Sequence, residues 1–367
     1  MRVQVVDPPA YTPPYDHALC AALARAGVEV ELITSPFLHG IVPDAEGYET
    51  TELFYRRAGL LGAAGSRSAR LAKLAAHVPD MLRLRGCSRD ADLVHLQWLT
   101  VAGVDAALLP RRPRVLTVHD PPPLGRLGLA GWRAAARRMD ALVAHSRAGA
   151  ERAAAAAGVG PERVRVIPHG AFDYLTRLTG RGPLPHELAA AEGPVVLCFG
   201  LIRPYKGIDL LLDAFREIEG AELWIVGRAM MDIAALRELA ERCRATVRIV
   251  PRFINDPEIP ALFERADLVV IPYREADQSG VLYTALAFAK PIVATAVGGF
   301  PDLAEHGAVR LVPPADRDAL ASAIAELLAD DTARGRLAAA AASAAAGPYS
   351  WDGVAEATIT LYRELLG

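Results

Sequence analysis

Short apolar runs rich in β-branched residues alternate along this chain with longer stretches whose apolar positions recur every third or fourth residue. The first pattern suits strands and the second amphipathic helices. In the first half the strand candidates are "RVQVV", "VEVELIT", "LVHLQW", "RVLTVHD", "ALVAHS" and "VRVIPHG". In the second half they are "VVLCFG", "ELWIVG", "VRIVPRF", "LVVIPY", "PIVATAV" and "AVRLVPP". Strands this continuously apolar belong in sheets covered by helices on both faces, the arrangement that βαβ units build. The pattern predicts an α/β fold with two Rossmann-like domains of six strands each.

The polar segment "TRLTGRGPLPHELAAAEGP", with its Gly and Pro residues, interrupts the alternation and reads as a linker. A first domain over 1–178 and a second over 190–347 follow from it. A length of 367 residues also favours two cores over one. The Ala-dense "RGRLAAAAASAAAG" is a strong helix former, and the tail over 348–367 carries apolar residues at helical spacing. Ligands of such sheets bind beyond the carboxyl ends of the strands, so the expected site is a cleft faced by the two domains.

Composition narrows the class. The formal net charge is -3, which gives no reason to expect a nucleic-acid partner. Charge is nevertheless uneven, +5 over residues 1–180 and -8 over the remainder. Cys20, Cys87, Cys198 and Cys243 are scattered without a Cys-x-x-Cys or a His at ligand spacing, as expected of reduced thiols and of a chain with no metal site. The opening "MRVQVVDPPA" has no secretory apolar region, and no apolar run reaches the length of a membrane span. A cytoplasmic location is the expectation.

The chemistry concentrates in the second half. In "FGLIRPYKGIDLLLDAF" a strand passes through a turn bearing Arg203 and Lys206 straight into an amphipathic helix. A helix amino terminus offers free amides and the positive end of the helix dipole, so a phosphate fits there. Arg adds a planar fork and Lys a mobile point charge, while Gly207 permits a tight turn. The plainer alternative is a pair of solvated loop cations. A second stretch, "YREADQSGVLYTALAFAKPIVAT", places Ser279 and Gly280 at another helix start, after a loop carrying Glu275 and Asp277. Two anion-ready turns and carboxylates able to accept from hydroxyls suggest a nucleoside diphosphate joined to a sugar.

"FGLIRPYKG" and "EADQSGVLYTALAFAKPIVATAVGGFPDL" resemble the retaining glycosyltransferases of family 4, which have the GT-B fold. The likeness is specific over roughly 195–303 and looser over "DLVHLQW", "TVHD" and "VIPHG". It implies an NDP-sugar donor held mainly by the second domain, a hydroxyl acceptor held mainly by the first, no metal or other cofactor, and a last helix crossing back to the first domain. By the same likeness, Gly200, Arg203 and Lys206 meet the donor diphosphate, and Glu275 is the first carboxylate of a Glu-x7-Glu motif that holds sugar hydroxyls. Gln278, Ser279, Gly280 and Val281 meet sugar and phosphate. The second Glu of the motif is Thr284 here, a weaker acceptor for ribose, and Leu201 stands where relatives carry an Arg. Phe253 and Ile254 are the resemblance's candidates for the base, or else plain strand core.

In the first half, His119 matches the family histidine beside the transferred bond, with Asp120 next to it. His169 is a further cleft candidate, His95 is either structural or acceptor-side, and Asp16 and His17 are acceptor-side candidates. Between 53 and 89, Arg56, Arg57, Arg67, Arg70, Lys73, Arg83, Arg85 and Arg89 face Asp80 alone. This stretch reads either as a solvated arginine face or as a surface that meets anionic lipid at the inner face of the plasma membrane and reaches a lipid-linked acceptor. An NDP-sugar epimerase on the same scaffold and a binding protein without turnover are the competing functions. A nicotinamide dehydrogenase is disfavoured because no Gly-x-Gly-x-x-Gly follows the first strand.

Overall fold

The computed structural model describes residues 1–37, 42, 44–56, 67–123 and 125–367, with the backbone alone at 67–71. The chain divides into two units, Met1–His169 with Trp351–Gly367, and Gly170–Ser350.

Among the described residues the first unit holds seven strands: β1 (Arg2–Asp7), β2 (Glu29–Thr34), β3 (Glu49–Glu52), β4 (Leu93–Leu96), β5 (Arg114–Val118), β6 (Ala141–Ala144) and β7 (Val164–Val166). They pair in the order β3-β2-β1-β4-β5-β6-β7, and every pairing is parallel. Six of these correspond to the apolar runs. The seventh, β3, breaks the expectation of six, because its sequence "ETTE" is polar and wholly exposed. A charged edge strand needs no apolar face and discourages pairing with another chain.

The helix Trp351–Leu366 belongs to this unit and packs on the helix Pro13–Arg25. Its apolar stripe, Trp351, Val354, Ile359 and Tyr362, is buried in the same cluster as Leu19 and Leu23. Burying side chains of this size stabilises by about 1.5–3 kcal/mol each. Polar bonds fix the register: Arg25 with Asp352 at 2.6 Å, Arg165 with Glu364, and His95 Nδ1 with the Tyr362 hydroxyl at 2.5 Å.

The second unit holds β8 (Val195–Phe199), β9 (Glu222–Val226), β10 (Val247–Val250), β11 (Leu268–Ile271), β12 (Ile292–Thr295) and β13 (Val309–Val312), in the parallel order β10-β9-β8-β11-β12-β13. The stretch 170–189, read from the sequence as the end of the first domain and a linker, is part of this unit. Leu175 and Leu188 are buried in its core, Ala171 N donates to Tyr349 O at 2.8 Å, and Gly182 N donates to Pro257 O at 2.7 Å. Polar composition hid a segment that hangs on a few apolar anchors.

In both sheets the strand order reverses once, between β1 and β4 and between β8 and β11. At such a switch the crossovers leave to opposite sides and open a crevice above the carboxyl ends.

Candidate active site

At the switch point of the second unit, β8 runs into Gly200 and β11 into Pro272 and Tyr273. The single turn Pro204–Lys206 and the helix Ile208–Phe215 follow β8, and the helix Gly280–Ala287 follows the loop after β11. Gly207 sits between turn and helix with φ +64°, and a Cβ there would lie 2.1 Å from the carbonyl oxygen of Pro272. That contact leaves room for a hydrogen only.

This turn folds Lys206 inward. The residue is 6% exposed, and its Nζ lies over the ring of Tyr273, 4.9 Å from the centroid. Among the described residues no carboxylate lies within ion-pair distance of Lys206. Burial pulls its pKa down to about 8, the nearby Arg203 charge adding to the fall and Cys198 opposing it. A buried ammonium with an aromatic face and no counter-ion is a site waiting for an anion.

The opening turn of the Gly280–Ala287 helix converges on the same point. A Cβ on Gly200 would lie 2.7 Å from Lys206 Nζ and 3.1 Å from Val281 Cγ2. Ser279 caps this helix, its Oγ accepting from Leu282 N at 3.4 Å and lying 3.4 Å from the Tyr273 hydroxyl. Among the described residues no acceptor takes the Gly280 and Val281 amides. Gln278 accepts from the Tyr283 hydroxyl, and Thr284 Oγ1 donates to the Gly280 carbonyl at 2.8 Å.

The other helix end differs from the sequence expectation. Asp209 occupies the first turn of Ile208–Phe215, and Arg274 binds it through both nitrogens at 2.8 and 2.7 Å. Arg274, followed by the Leu210 and Asp209 amides, holds the Asp209 carboxyl below its ordinary range. An Arg–carboxylate pair thus occupies the first turn of this helix, whereas the first turn of Gly280–Ala287 carries no acidic side chain. Arg203 and Glu275 are exposed and line one rim of a cavity of about 810 Å³, together with Tyr205, Met231 and Leu236. Phe253 and Ile254 follow β10 at the sheet edge, Phe253 exposed and Ile254 buried in the core.

In the first unit four side chains follow the ends of four adjacent strands: Gln97 after β4, His119 after β5, His145 after β6 and His169 after β7. His119 Nε2 lies 2.9 Å from the Gln97 amide, and its Nδ1 lies 3.2 Å from His145 Nε2. Trp98 stacks on His119 at 5.1 Å, and Tyr15 meets His119 and His169 edge-on. Burial first, then the neighbouring imidazoles, keeps His119 well below the ordinary histidine pKa, so the ring is neutral at pH 7. Sequence reading found His119 and His169 but missed Gln97 and His145. The signal was the offset that Gln97 and His145 share with His119, the first residue past the strand, whereas His169 stands third past β7.

The remaining candidates separate from this cluster by their bonds. His95 is buried within β4, its nitrogens spent on Tyr362 and, at 2.7 Å, on Thr117. His17 is buried against the Tyr48 hydroxyl. Asp16 accepts from Thr12 Oγ1 at 3.3 Å, and burial with the adjacent Asp7 charge raises its pKa well above the carboxylate range. Asp120 is exposed. Among the described residues no three His, Cys, Asp or Glu side chains group as a metal would require.

On the basic stretch, Arg57 lies outside the described residues, and only the backbone of Arg67 and Arg70 is described. The helix Arg67–Cys87 exposes Leu74, Val78 and Leu82, four residues apart in turn. Beside Leu82 a groove of about 490 Å³ is lined by Arg85, Arg89, Arg111 and Arg112. No described helix is long and apolar enough to cross a membrane.

Two family models match the chain: "Glycosyltransferase Family 4" over 15–171 and "Glycosyl transferases group 1" over 193–330. A D-inositol 3-phosphate glycosyltransferase of Xylanimonas cellulosilytica is 30% identical over 378 residues, covering 94% of this chain and 89% of that one. A GDP-mannose:glycolipid 4-beta-D-mannosyltransferase of Xanthomonas campestris is 33% identical over 140 residues, 37% of this chain and 38% of its own. Among solved structures, sucrose-phosphate synthase from Thermosynechococcus elongatus superposes with TM-score 0.72 at 21% identity, covering 100% of this chain and 99% of that one. Anabaena HepE in complex with UDP gives TM-score 0.71 at 20% identity, over 99% and 100%. At such identities the structural likeness concerns the fold.

Proposed function

Because the chain belongs to the glycosyltransferases of family 4, we propose that it moves a sugar from an NDP-sugar to a hydroxyl acceptor with retention of anomeric configuration and without a metal. The observation that carries the donor reading is Lys206, a buried ammonium without a carboxylate, beside the unpaired amides of Gly280 and Val281. A diphosphate supplies the charge that this group lacks.

When the anomeric C–O bond breaks, its electron pair goes to the departing diphosphate and the sugar gains oxocarbenium character. Lys206 and Arg203 stabilise the first charge, and the Gly280–Ala287 helix end adds its dipole. Such prearranged electrostatics commonly outweighs acid–base help. Glu275 and Gln278 accept from and orient the sugar hydroxyls. The acceptor oxygen attacks from the face the phosphate leaves, and a phosphate oxygen takes its proton. His119, with Asp120 and His169, forms the first unit's contribution to the substrate site. Thr284 stands in for the ribose-binding carboxylate, and Phe253 flanks the base.

The acceptor is lipid-linked in this reading, and the first unit meets anionic membrane. The exposed row Leu74, Val78, Leu82 and the arginine-lined groove support this, since apolar insertion and charge attraction add on a lipid surface.

The deciding experiment incubates the protein with UDP-, GDP-, ADP- and dTDP-sugars, with and without polyprenyl-diphosphate-linked acceptors, and reads the product anomer by NMR. Retained configuration in an acceptor-dependent product supports the proposal. An inverted product ends the retaining mechanism, and epimerised donor without transfer ends the transferase reading.

A further inference from the structure

His119 has both ring nitrogens engaged, which limits what it can offer a substrate. The constraint starts at His145. Its Nδ1 lies 3.0 Å from the Ile167 carbonyl oxygen, which can only accept, so Nδ1 carries the proton. In a neutral ring Nε2 is then bare. His119 Nδ1, 3.2 Å from that nitrogen, must donate to it, and the Nε2 of His119 is left as a lone pair. Burial holds His145 down to about 4 and His119 well below its ordinary value, so both rings are neutral.

Gln97 completes the chain in a way that depends on its amide orientation. As placed, Gln97 Oε1 faces His119 Nε2 at 2.9 Å while Gln97 Nε2 is buried without a partner. Two acceptors would then oppose each other and a donor would be wasted. A half-turn of the amide cures both, giving Gln97 N–H to His119 Nε2. Of the remaining groups around His119, the rings of Tyr15 and Trp98 pack on it, and His95 and His169 act in the same direction as burial, against a second proton on the ring.

We propose that His145 is a positioning residue that fixes the tautomer of His119, leaving Nε2 as an acceptor that the Gln97 amide holds until a substrate hydroxyl takes its place. This rests on the reading that His119 meets substrate. The order of donors is Gln97 N–H to His119 Nε2, His119 Nδ1–H to His145 Nε2, and His145 Nδ1–H to the Ile167 carbonyl. A hydroxyl arriving at His119 displaces one N–H donor with one O–H donor, so the exchange leaves no orphaned lone pair on the ring. The ring takes up no net proton in this step; it orients the hydroxyl.

The test is long-range proton–nitrogen NMR on the full chain with labelled histidine, beside steady-state kinetics. Wild type should show His119 with a bare Nε2 and a protonated Nδ1. His145→Ala should shift His119 toward the Nε2-protonated form, now donating to Gln97 Oε1, and lower kcat roughly tenfold to a hundredfold with donor KM nearly unchanged. His145→Asn keeps an acceptor for His119 Nδ1–H and should restore most of the tautomer and of kcat. A wild-type His119 protonated at Nε2, or a tautomer unmoved in His145→Ala, overturns the proposal. A shifted tautomer with unchanged kcat overturns its catalytic relevance. Full activity in His119→Ala would instead remove the substrate contact of His119, whatever the NMR shows.

Discussion

The Nζ of Lys206 stands 4.9 Å above the ring of Tyr273, and Ser279 Oγ lies 3.4 Å from that residue's hydroxyl. One aromatic side chain therefore ties the buried cation after β8 to the cap of the helix after β11, 67 residues after Lys206 in the chain for Tyr273 itself. Because the ammonium has lost water without gaining a counter-ion, the site is built at a cost to the empty protein.

Lys206→Met should make that cost visible. The depressed pKa, about 8, corresponds to a penalty on the order of 3 kcal/mol for keeping the charge at pH 7. Removing the charge should raise the Tm while transfer falls by orders of magnitude and UDP affinity drops. Calorimetry and turnover check it together; an unchanged rate would take Lys206 out of the donor site.

The same group gives a pH signature. Its folded pKa lies below the unfolded value, so between pH 8 and 10.5 the unfolded chain binds more protons and this group's contribution to stability rises with pH. Donor affinity runs the other way: above pH 8 the ammonium deprotonates and diphosphate binding weakens. Titration calorimetry in buffers of different ionisation enthalpy should detect proton uptake on UDP binding near pH 8, and Lys206→Met should abolish it.

Gly207→Ala and Gly27→Ala compare strain with collision. Both glycines have positive φ, but a Cβ at Gly27 meets nothing within 4 Å whereas one at Gly207 lies 2.1 Å from Pro272 O. Gly27→Ala should cost about 1–2 kcal/mol and leave activity intact. Gly207→Ala should cost more and also weaken UDP binding. Urea unfolding and binding isotherms distinguish the two.

Thr284→Val tests the ribose assignment. The hydroxyl proton is already given to the Gly280 carbonyl at 2.8 Å. A ribose contact through the remaining lone pairs predicts a loss of roughly fivefold to tenfold in UDP affinity, with little change for a diphosphate that has no ribose. Equal affinities in wild type and variant would move the ribose elsewhere.

Arg89→Glu and Leu82→Asp, made together, should abolish co-sedimentation with anionic vesicles and leave transfer to a soluble acceptor unchanged. Attraction through Arg85, Arg89, Arg111 and Arg112 should weaken with salt, as exposed charges do. Failure of the wild type to sediment at low salt leaves the solvated arginine face.

Local pattern was enough for much of this. Continuous apolar runs such as "VVLCF" and "LVVI" specify strands buried on both faces, and Ile208, Leu211, Leu212 and Phe215 specify one face of a helix, because these periodicities need only neighbouring residues. The cations and glycines of "RPYKG" and the "QSG" turn were legible for the same reason. Three-dimensional neighbourhood was not. Which strand ends lie side by side depends on crossovers, and only the observed order brings Gln97, His119 and His145 into one bonded chain. The sequence also could not tell that Arg274 pairs with Asp209 in the first turn of its helix, that "ETTE" pairs as a strand, or that Lys206 is buried. Burial, register and protonation are set by contacts between residues far apart in the chain, and no local pattern carries them.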